Sequence, residues 1–232
     1  ARFLAQQRGE FRVYSPSYSL PQQTAVTVGL EFASGVDPVQ LRPYLEFMTV
    51  ASGVPAAGYS VTIPVFKKGN PEEDNRAYQP RADLLGLLNV RYILSAFLLD
   101  AAGLEKLFVQ DGVYVYENQL ARPRAWIEQN GQISPLKASM TSSSPNRLVV
   151  QAQGPGELVL SEIVYPGWRA YLDGKPVRIL AYQGLLRSVE LPEGDHQVKF
   201  LFQPASLWVG LLTFCLTVIV LGLYSYRQRK RG

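Results

Sequence analysis

The chain has 232 residues, is 47% hydrophobic and 18% charged, and scatters its 19 Gly and 16 Pro without period, which excludes disordered, collagen-like and low-complexity polymers. One cysteine, Cys215, and one histidine, His196, exclude disulfide frameworks, Cys/His metal sites and redox pairs. The net charge of +4 is matched by four basic residues near the C-terminus, Arg227, Arg229, Lys230 and Arg231, so the pI near 9.1 reports a tail and not a nucleic-acid-binding face.

Along the chain, residues 11–15 predict a short strand, and Asp37-Pro38 offers an N-cap and first-turn proline for a helix reaching about residue 50. Residues 51–79 are rich in Gly, Pro and Ala and carry Lys67-Lys68 and Glu72-Glu73-Asp74. They predict a long exposed loop in which the paired carboxylates are solvated turn residues. A helix over 81–88, a strand over 90–95, and a hairpin of 107–110 with 113–116 turning at Asp111-Gly112 follow. Residues 1–124 are therefore expected to form a mixed α+β extracytoplasmic domain.

From residue 125 short alternating runs are separated by turn residues, the pattern of an all-β unit. Leu148, Val150 and Ala152 share one strand face, Gly154-Pro155-Gly156 is expected to turn the chain, and a strand over 158–165 follows. After a turn at Asp173-Gly174, Val177, Ile179 and Ala181 share a face, with Arg178 and Tyr182 opposite. Leu185, Arg187, Val189 and Leu191 alternate next, and beyond a turn at Pro192-Glu193-Gly194 the last strand aligns Val198, Phe200 and Phe202. About six strands predict a small antiparallel β-sandwich over 125–204. Asp195 and His196 are adjacent and so point to opposite strand faces, leaving His196 as a turn-edge surface residue.

Tyr165, Trp168, Arg169 and Tyr171 cluster aromatic and cationic groups beside a turn. Such groups can stack on a sugar ring or pair with a phosphate. The favoured alternative is packing, in which Trp168 plugs the end of the sandwich and Arg169 faces water.

Residues 205–226 carry no charged side chain. As a helix they span about 33 Å against about 30 Å of hydrocarbon, enough for one transmembrane helix. Trp208 at one end and Tyr224 and Tyr226 at the other are expected as interface anchors, with Pro204 as the helix start. A buried core helix and a tail anchor are the alternatives. Arg227, Arg229, Lys230 and Arg231 in the tail 227–232 are expected on the cytoplasmic side, which places residues 1–204 outside. The last strand ends at Gln203, so the sandwich is expected against the membrane surface with no flexible linker. Residues 1–10 contain no initiator Met or apolar leader, and an upstream exporting segment is expected.

No GxSxG, Walker A, HExxH or dinucleotide fingerprint is present. No catalytic residue, metal site or cofactor is assigned. Three segments, LLGLLNVRYILS (84–95), DGVYVYEN with RPRA (111–118, 122–125) and YPGWRAYLDGKPV (165–177), continue into GLLR (184–187) and LPEGDH (191–196) and then the apolar run. Together they resemble the C-terminal part of bacterial YfhO-like membrane proteins. The resemblance implies a multi-spanning glycosyltransferase in the bacterial cytoplasmic membrane that draws on a polyprenyl-phosphate sugar, with its catalytic acidic residue in a region upstream of this chain. Partners expected on that basis are the lipid bilayer, upstream transmembrane helices, and a polyprenyl-phosphate sugar or envelope glycan. Two functional classes follow: an accessory part of such an enzyme, itself without the catalytic centre, or a non-enzymatic membrane-anchored glycan-binding or scaffold module.

Overall fold

The computed structural model describes residues 1–56 and 58–230. Its helices are α1 (Arg2–Ala5), α2 (Gln22–Thr27), α3 (Arg42–Ser52), α4 (Ala82–Leu87) and α5 (Ala205–Arg229). The strands of the first half are β1 (Arg12–Tyr14), β2 (Glu31–Phe32), β3 (Gly35–Val36), β4 (Thr62–Ile63), β5 (Val90–Ser95), β6 (Leu104–Gln110) and β7 (Val113–Asn118). Those of the second are β8 (Ala125–Gln129), β9 (Gln132–Ile133), β10 (Ala138–Ser144), β11 (Arg147–Ile163), β12 (Trp168–Leu172), β13 (Lys175–Val177), β14 (Leu180–Tyr182) and β15 (Leu186–Phe202). The chain is rich in β-sheet and closes with one helix long and apolar enough to cross a membrane.

A five-stranded sheet runs in the order β2-β1-β5-β7-β6, with β1 parallel to both β2 and β5. Its central strand β5, VRYILS, is buried on both faces, which is why it reads as a nearly unbroken apolar run. Tyr92 and Leu94 pack with Leu4, Val13 and Leu20, whereas Ile93 packs with Tyr14, Met48 and Leu85. The β6–β7 hairpin turns at Asp111 (φ 50°) and Gly112 (φ 77°), two successive positive-φ residues that match the right-handed twist of the strands. Buried Asn118 donates to the carbonyls of Ala82 and Val90, each at 2.9 Å, and so locks α4 and β5 to β7.

Two expectations for this half are corrected. Asp37-Pro38 does not start a helix: Asp37 Oδ1 accepts from the Val39 amide at 2.8 Å, and the Asp37 amide donates to Val61 O at 2.7 Å. The segment is thereby held beside β4, and α3 begins at Arg42 with Pro43 in its first turn. Nor is 51–79 uniformly exposed. It contributes β4, and buried Asn75 donates to the carbonyls of Pro16 (3.1 Å) and Val65 (3.3 Å).

The second half is a single eight-stranded sheet, β13-β12-β15-β11-β8-β9, with β10 on β11 and β14 on β15. Here the two expected reversals are corrected. Gly154-Pro155-Gly156 lies inside β11 and Pro192-Glu193-Gly194 inside β15, and the two strands pair from Arg147↔Leu201 to Ile163↔Leu186. The signals that read as turns face one another, Gly154↔Gly194 and Gly156↔Leu191, and the register shifts there by one residue. A bulge of this kind bends both strands and inverts the inward parity of the longer one. Hence Val198 and Phe200 are buried on one side of it and Val189 and Leu191 on the other, all in one cluster with Leu148, Val150, Leu158 and Leu160. The expected strand over 177–182 also divides, because β13 pairs with β12 while β14 pairs with β15.

Trp126, Val159, Leu185 and Leu186 belong to the same apolar cluster as Leu85, Ile93 and Tyr116, so the core is continuous past residue 124. The bend leaves no room for a side chain at position 154, where a Cβ would lie 1.8 Å from the Pro192 carbonyl oxygen. Gly154→Ala is therefore expected to cost roughly 3 kcal/mol, read as a lowered thermal midpoint by circular dichroism of the full chain in detergent.

Candidate functional site

A second irregularity in β11 builds the most polar point of the interior. Between Leu160↔Arg187 and Ile163↔Leu186 the register shifts again, so Ser161 and Glu162 are the extra residues of a bulge. Such a bulge re-aims a side chain, and it turns Glu162 toward three guanidiniums. Glu162 Oε1 accepts from Arg12 Nη2 (3.1 Å), Arg124 Nε (2.7 Å) and Arg124 Nη2 (2.5 Å), and Oε2 accepts from Arg187 Nη2 at 3.4 Å. Glu31, which pairs in register with Arg12 across β1 and β2, accepts from Arg12 Nε at 3.3 Å and Arg124 Nη1 at 2.7 Å. Arg12 Nη1 also donates to the carbonyls of Ser161 (2.7 Å) and Leu88 (3.1 Å). One cluster of three guanidiniums and two carboxylates thus ties the first sheet to the second.

Charge and burial compete here. Burial would raise the Glu31 carboxyl, but the hydrogen bonds and charges of Arg124 and Arg12 overcome it and hold Glu31 below the usual range. Arg124 responds in the opposite sense: burial disfavours its charge, and Glu162 and Glu31 more than restore it. Arg187, whose side chain is only 3% exposed, is pushed down to about 10, first by burial and then by Arg124 and Arg12, with Glu162 opposing. It stays protonated at neutral pH. Its guanidinium lies 3.9 Å from the Trp168 ring centroid, a cation–π contact.

The cluster borders a cavity of about 430 Å³, within the range of small-ligand sites. Arg12, Glu162 and Arg187 form its polar floor, and Tyr165, Trp168 and Phe202 an aromatic wall. The wall is internally packed, with Trp168 and Tyr165 ring centroids 5.4 Å and 6.2 Å from that of Phe202. Of the four residues singled out in YPGWRAY, Tyr165 and Trp168 meet at this cavity. Arg169 and Tyr171 do not: they alternate with Trp168 and Ala170 along β12 and belong to its other face. Among the described residues no group of three His, Cys, Asp or Glu is placed to hold a metal ion.

Sequence reading passed over Arg12, Glu31, Arg124 and Glu162, which no local spacing connects. Arg187 did leave a signal, since it occupies an inward position of the apolar alternation Leu185, Arg187, Val189, Leu191, where a charge requires a partner. His196 has a partner as well. It lies in β15, and Nδ1 is 2.7 Å from Oδ2 of Asp173 rather than of the neighbouring Asp195.

At the far end of the chain, Trp208 falls in the first turn of α5 and Tyr226 and Arg227 near its end, with Lys230 4.9 Å from the Tyr226 ring. Trp208 and Tyr226 are exposed. The side chains of Tyr224 and Arg229, and Arg231 entirely, lie outside the described residues. No protein-family model, curated protein or solved structure matches the chain.

Two measurements test the electrostatics. Glu162→Gln leaves Arg12 and Arg124 with Glu31 alone and Arg187 with no carboxylate, and is expected to destabilise the chain by about 3 kcal/mol, the cost of breaking a largely buried pair. The His196 pKa is raised by its hydrogen bond to Asp173. The pair's contribution is therefore complete below about 6.5, the unfolded value, and is lost as pH rises through the higher folded value. Because the Asp173 pKa is lowered, first by the Gln197 amide and then by His196, its share is lost instead as pH falls through that depressed value. Asp173→Asn should return the single histidine's NMR titration midpoint toward 6.5.

Proposed function

We propose that the chain is the C-terminal extracytoplasmic part and last membrane span of a YfhO-like integral membrane protein of the bacterial cytoplasmic membrane. In this reading it is an accessory portion of a lipid-carrier-dependent glycosyltransferase acting on cell-envelope polymers, and the catalytic centre lies elsewhere in the parent protein. Residues 1–124 form an α+β unit. Residues 125–204 are a small β-sandwich, made by the eight-stranded sheet folding over its shared bend. Residues 205–226 cross the bilayer and the basic tail stays inside.

The observation that carries the membrane part is the state of α5. Within its span Ala205–Gln228 an 18-residue stretch has a mean hydropathy of 2.3, and none of that stretch is buried against the rest of the chain. Leu207, Leu211, Phe214, Val218 and Leu221 are all more than half exposed. A helix apolar on every side must be covered by lipid or by other spans. The glycosyltransferase association rests on the resemblance of the segments within 84–196.

Cys215 makes the span directly testable, because it is the only thiol in the chain and lies about 15 Å along the helix from Ala205, near the middle of the hydrocarbon. A membrane-impermeant maleimide is expected to leave it unlabelled in reconstituted vesicles and to label it once detergent is added. Labelling in intact vesicles would remove the transmembrane reading. The placement of the active site is tested separately: the chain alone is expected to transfer no sugar from any polyprenyl-linked donor, and turnover would refute it.

A non-enzymatic glycan-binding module is the second reading, favoured by the aromatic wall of Tyr165, Trp168 and Phe202 at the cavity. It requires Trp168→Ala to abolish retention on an envelope-glycan column while thermal unfolding stays cooperative. Loss of folding instead assigns Trp168 to packing.

A further inference from the structure

We propose that the cavity at the joint between the two sheets is a receptor for the phosphodiester of an anionic membrane lipid, with the guanidiniums of Arg187 and Arg12 as its donors.

Three observations lead there. The first is a charge imbalance: three guanidiniums, Arg12, Arg124 and Arg187, share two carboxylates, Glu31 and Glu162. The surplus of one positive charge is complemented by one monoanion. The second is an unmet hydrogen-bonding demand. Arg187 is 3% exposed, and its Nε and Nη1 have no hydrogen-bond partner. Its face is covered by Trp168, but an aromatic ring cannot satisfy in-plane N–H groups, and buried guanidinium donors normally find acceptors. Nε and Nη1 lie on different edges of the guanidinium, and a phosphodiester oxygen is a charged acceptor for one of them.

The third observation is position. Phe202 lines the cavity, and Pro204, two residues later, is the N-cap of α5. The Gln203 amide donates to Gly167 O at 2.6 Å, fixing this exit to the turn before β12. Two extended residues cover about 7 Å, so the cavity stands at the level where α5 enters the bilayer and phosphate headgroups lie. The inference rests on the reading of α5 as a membrane span. Its aromatic wall would meet the glycerol and first methylenes of the lipid, and its polar floor the phosphate.

The test uses the full chain in dodecyl maltoside, titrated with phosphatidylglycerol, phosphatidylcholine or inorganic phosphate while the thermal midpoint is followed. Phosphatidylglycerol is expected to raise the midpoint saturably, and zwitterionic phosphatidylcholine and inorganic phosphate to do so at no less than tenfold higher concentration. Arg187→Gln should abolish the response. Asn146, an exposed residue on the rim, gives a variant that does not endanger folding: Asn146→Glu should weaken phosphatidylglycerol at least tenfold and Asn146→Lys strengthen it. Equal responses to the two lipids, or a phosphatidylglycerol response indifferent to Asn146→Glu, overturn the proposal. An inorganic-phosphate response as strong as the lipid's overturns the lipid assignment. Flotation of the same preparations with neutral phosphatidylcholine vesicles reports the span independently. Protein that floats without a phosphatidylglycerol response therefore condemns the cavity alone, and protein that fails to float condemns the helix.

Discussion

The pairing of β11 with β15 is the constraint on which everything else in the chain depends. Each strand is 17 residues long, and each would be broken by its Gly-Pro or Pro-Glu-Gly segment were the other not broken at the same level. Because the bends coincide, the ladder continues through them, and the neighbours change: β10 and β12 flank one half, β8 and β14 the other. Both halves then face one apolar cluster. A two-stranded ribbon alone would be marginal in water; flanked in this way it becomes the spine of the second sheet, and its last residue delivers the chain to α5.

The same ribbon sets the electrostatics. The Ser161-Glu162 bulge and Arg187 lie across from one another at its Ile163↔Leu186 end, and the first sheet answers with Arg12 and Glu31. Removing Arg12, Arg124, Glu162 and Arg187 largely from water is costly, while Glu31 stays more than half exposed, and a buried ion pair often contributes little net stability. What the cluster contributes is registration: Arg12 bonds Glu31, Glu162, Ser161 O and Leu88 O together, an arrangement that a sliding apolar interface could not specify. Apolar packing on either side, from Tyr44 and Leu88 to Leu185 and Leu186, supplies the favourable area. The cation–π contact of Arg187 with Trp168 offsets part of its desolvation.

The junction with α5 is short and fixed. β15 ends at Phe202, Pro204 caps the helix, and the Gln203 amide is held by Gly167. Whatever covers the apolar helix therefore also sets the height and tilt of the sheet above it. Trp208 and Tyr226 are about 27 Å apart along the axis, close to the hydrocarbon thickness.

What could be read without coordinates was whatever depends on neighbours in sequence. The β6–β7 hairpin at Asp111-Gly112, the strand Val90–Ser95, the inward faces of 148–152 and 198–202, and the apolar helix from Ala205 all follow from period, turn chemistry and hydropathy within about two dozen residues or fewer per decision. The sequence by itself determined those elements. Only tertiary structure decided whether Gly154-Pro155-Gly156 and Pro192-Glu193-Gly194 reverse the chain or bend it, since a turn and a paired bulge use the same residues and differ only in what lies opposite. It alone decided which Asp holds His196, because strand alternation removes Asp195 and the partner comes from a separate turn. It also assembled Arg12, Glu31, Arg124, Glu162 and Arg187, whose charges act through space across as many as 175 positions and leave no periodic trace in the chain.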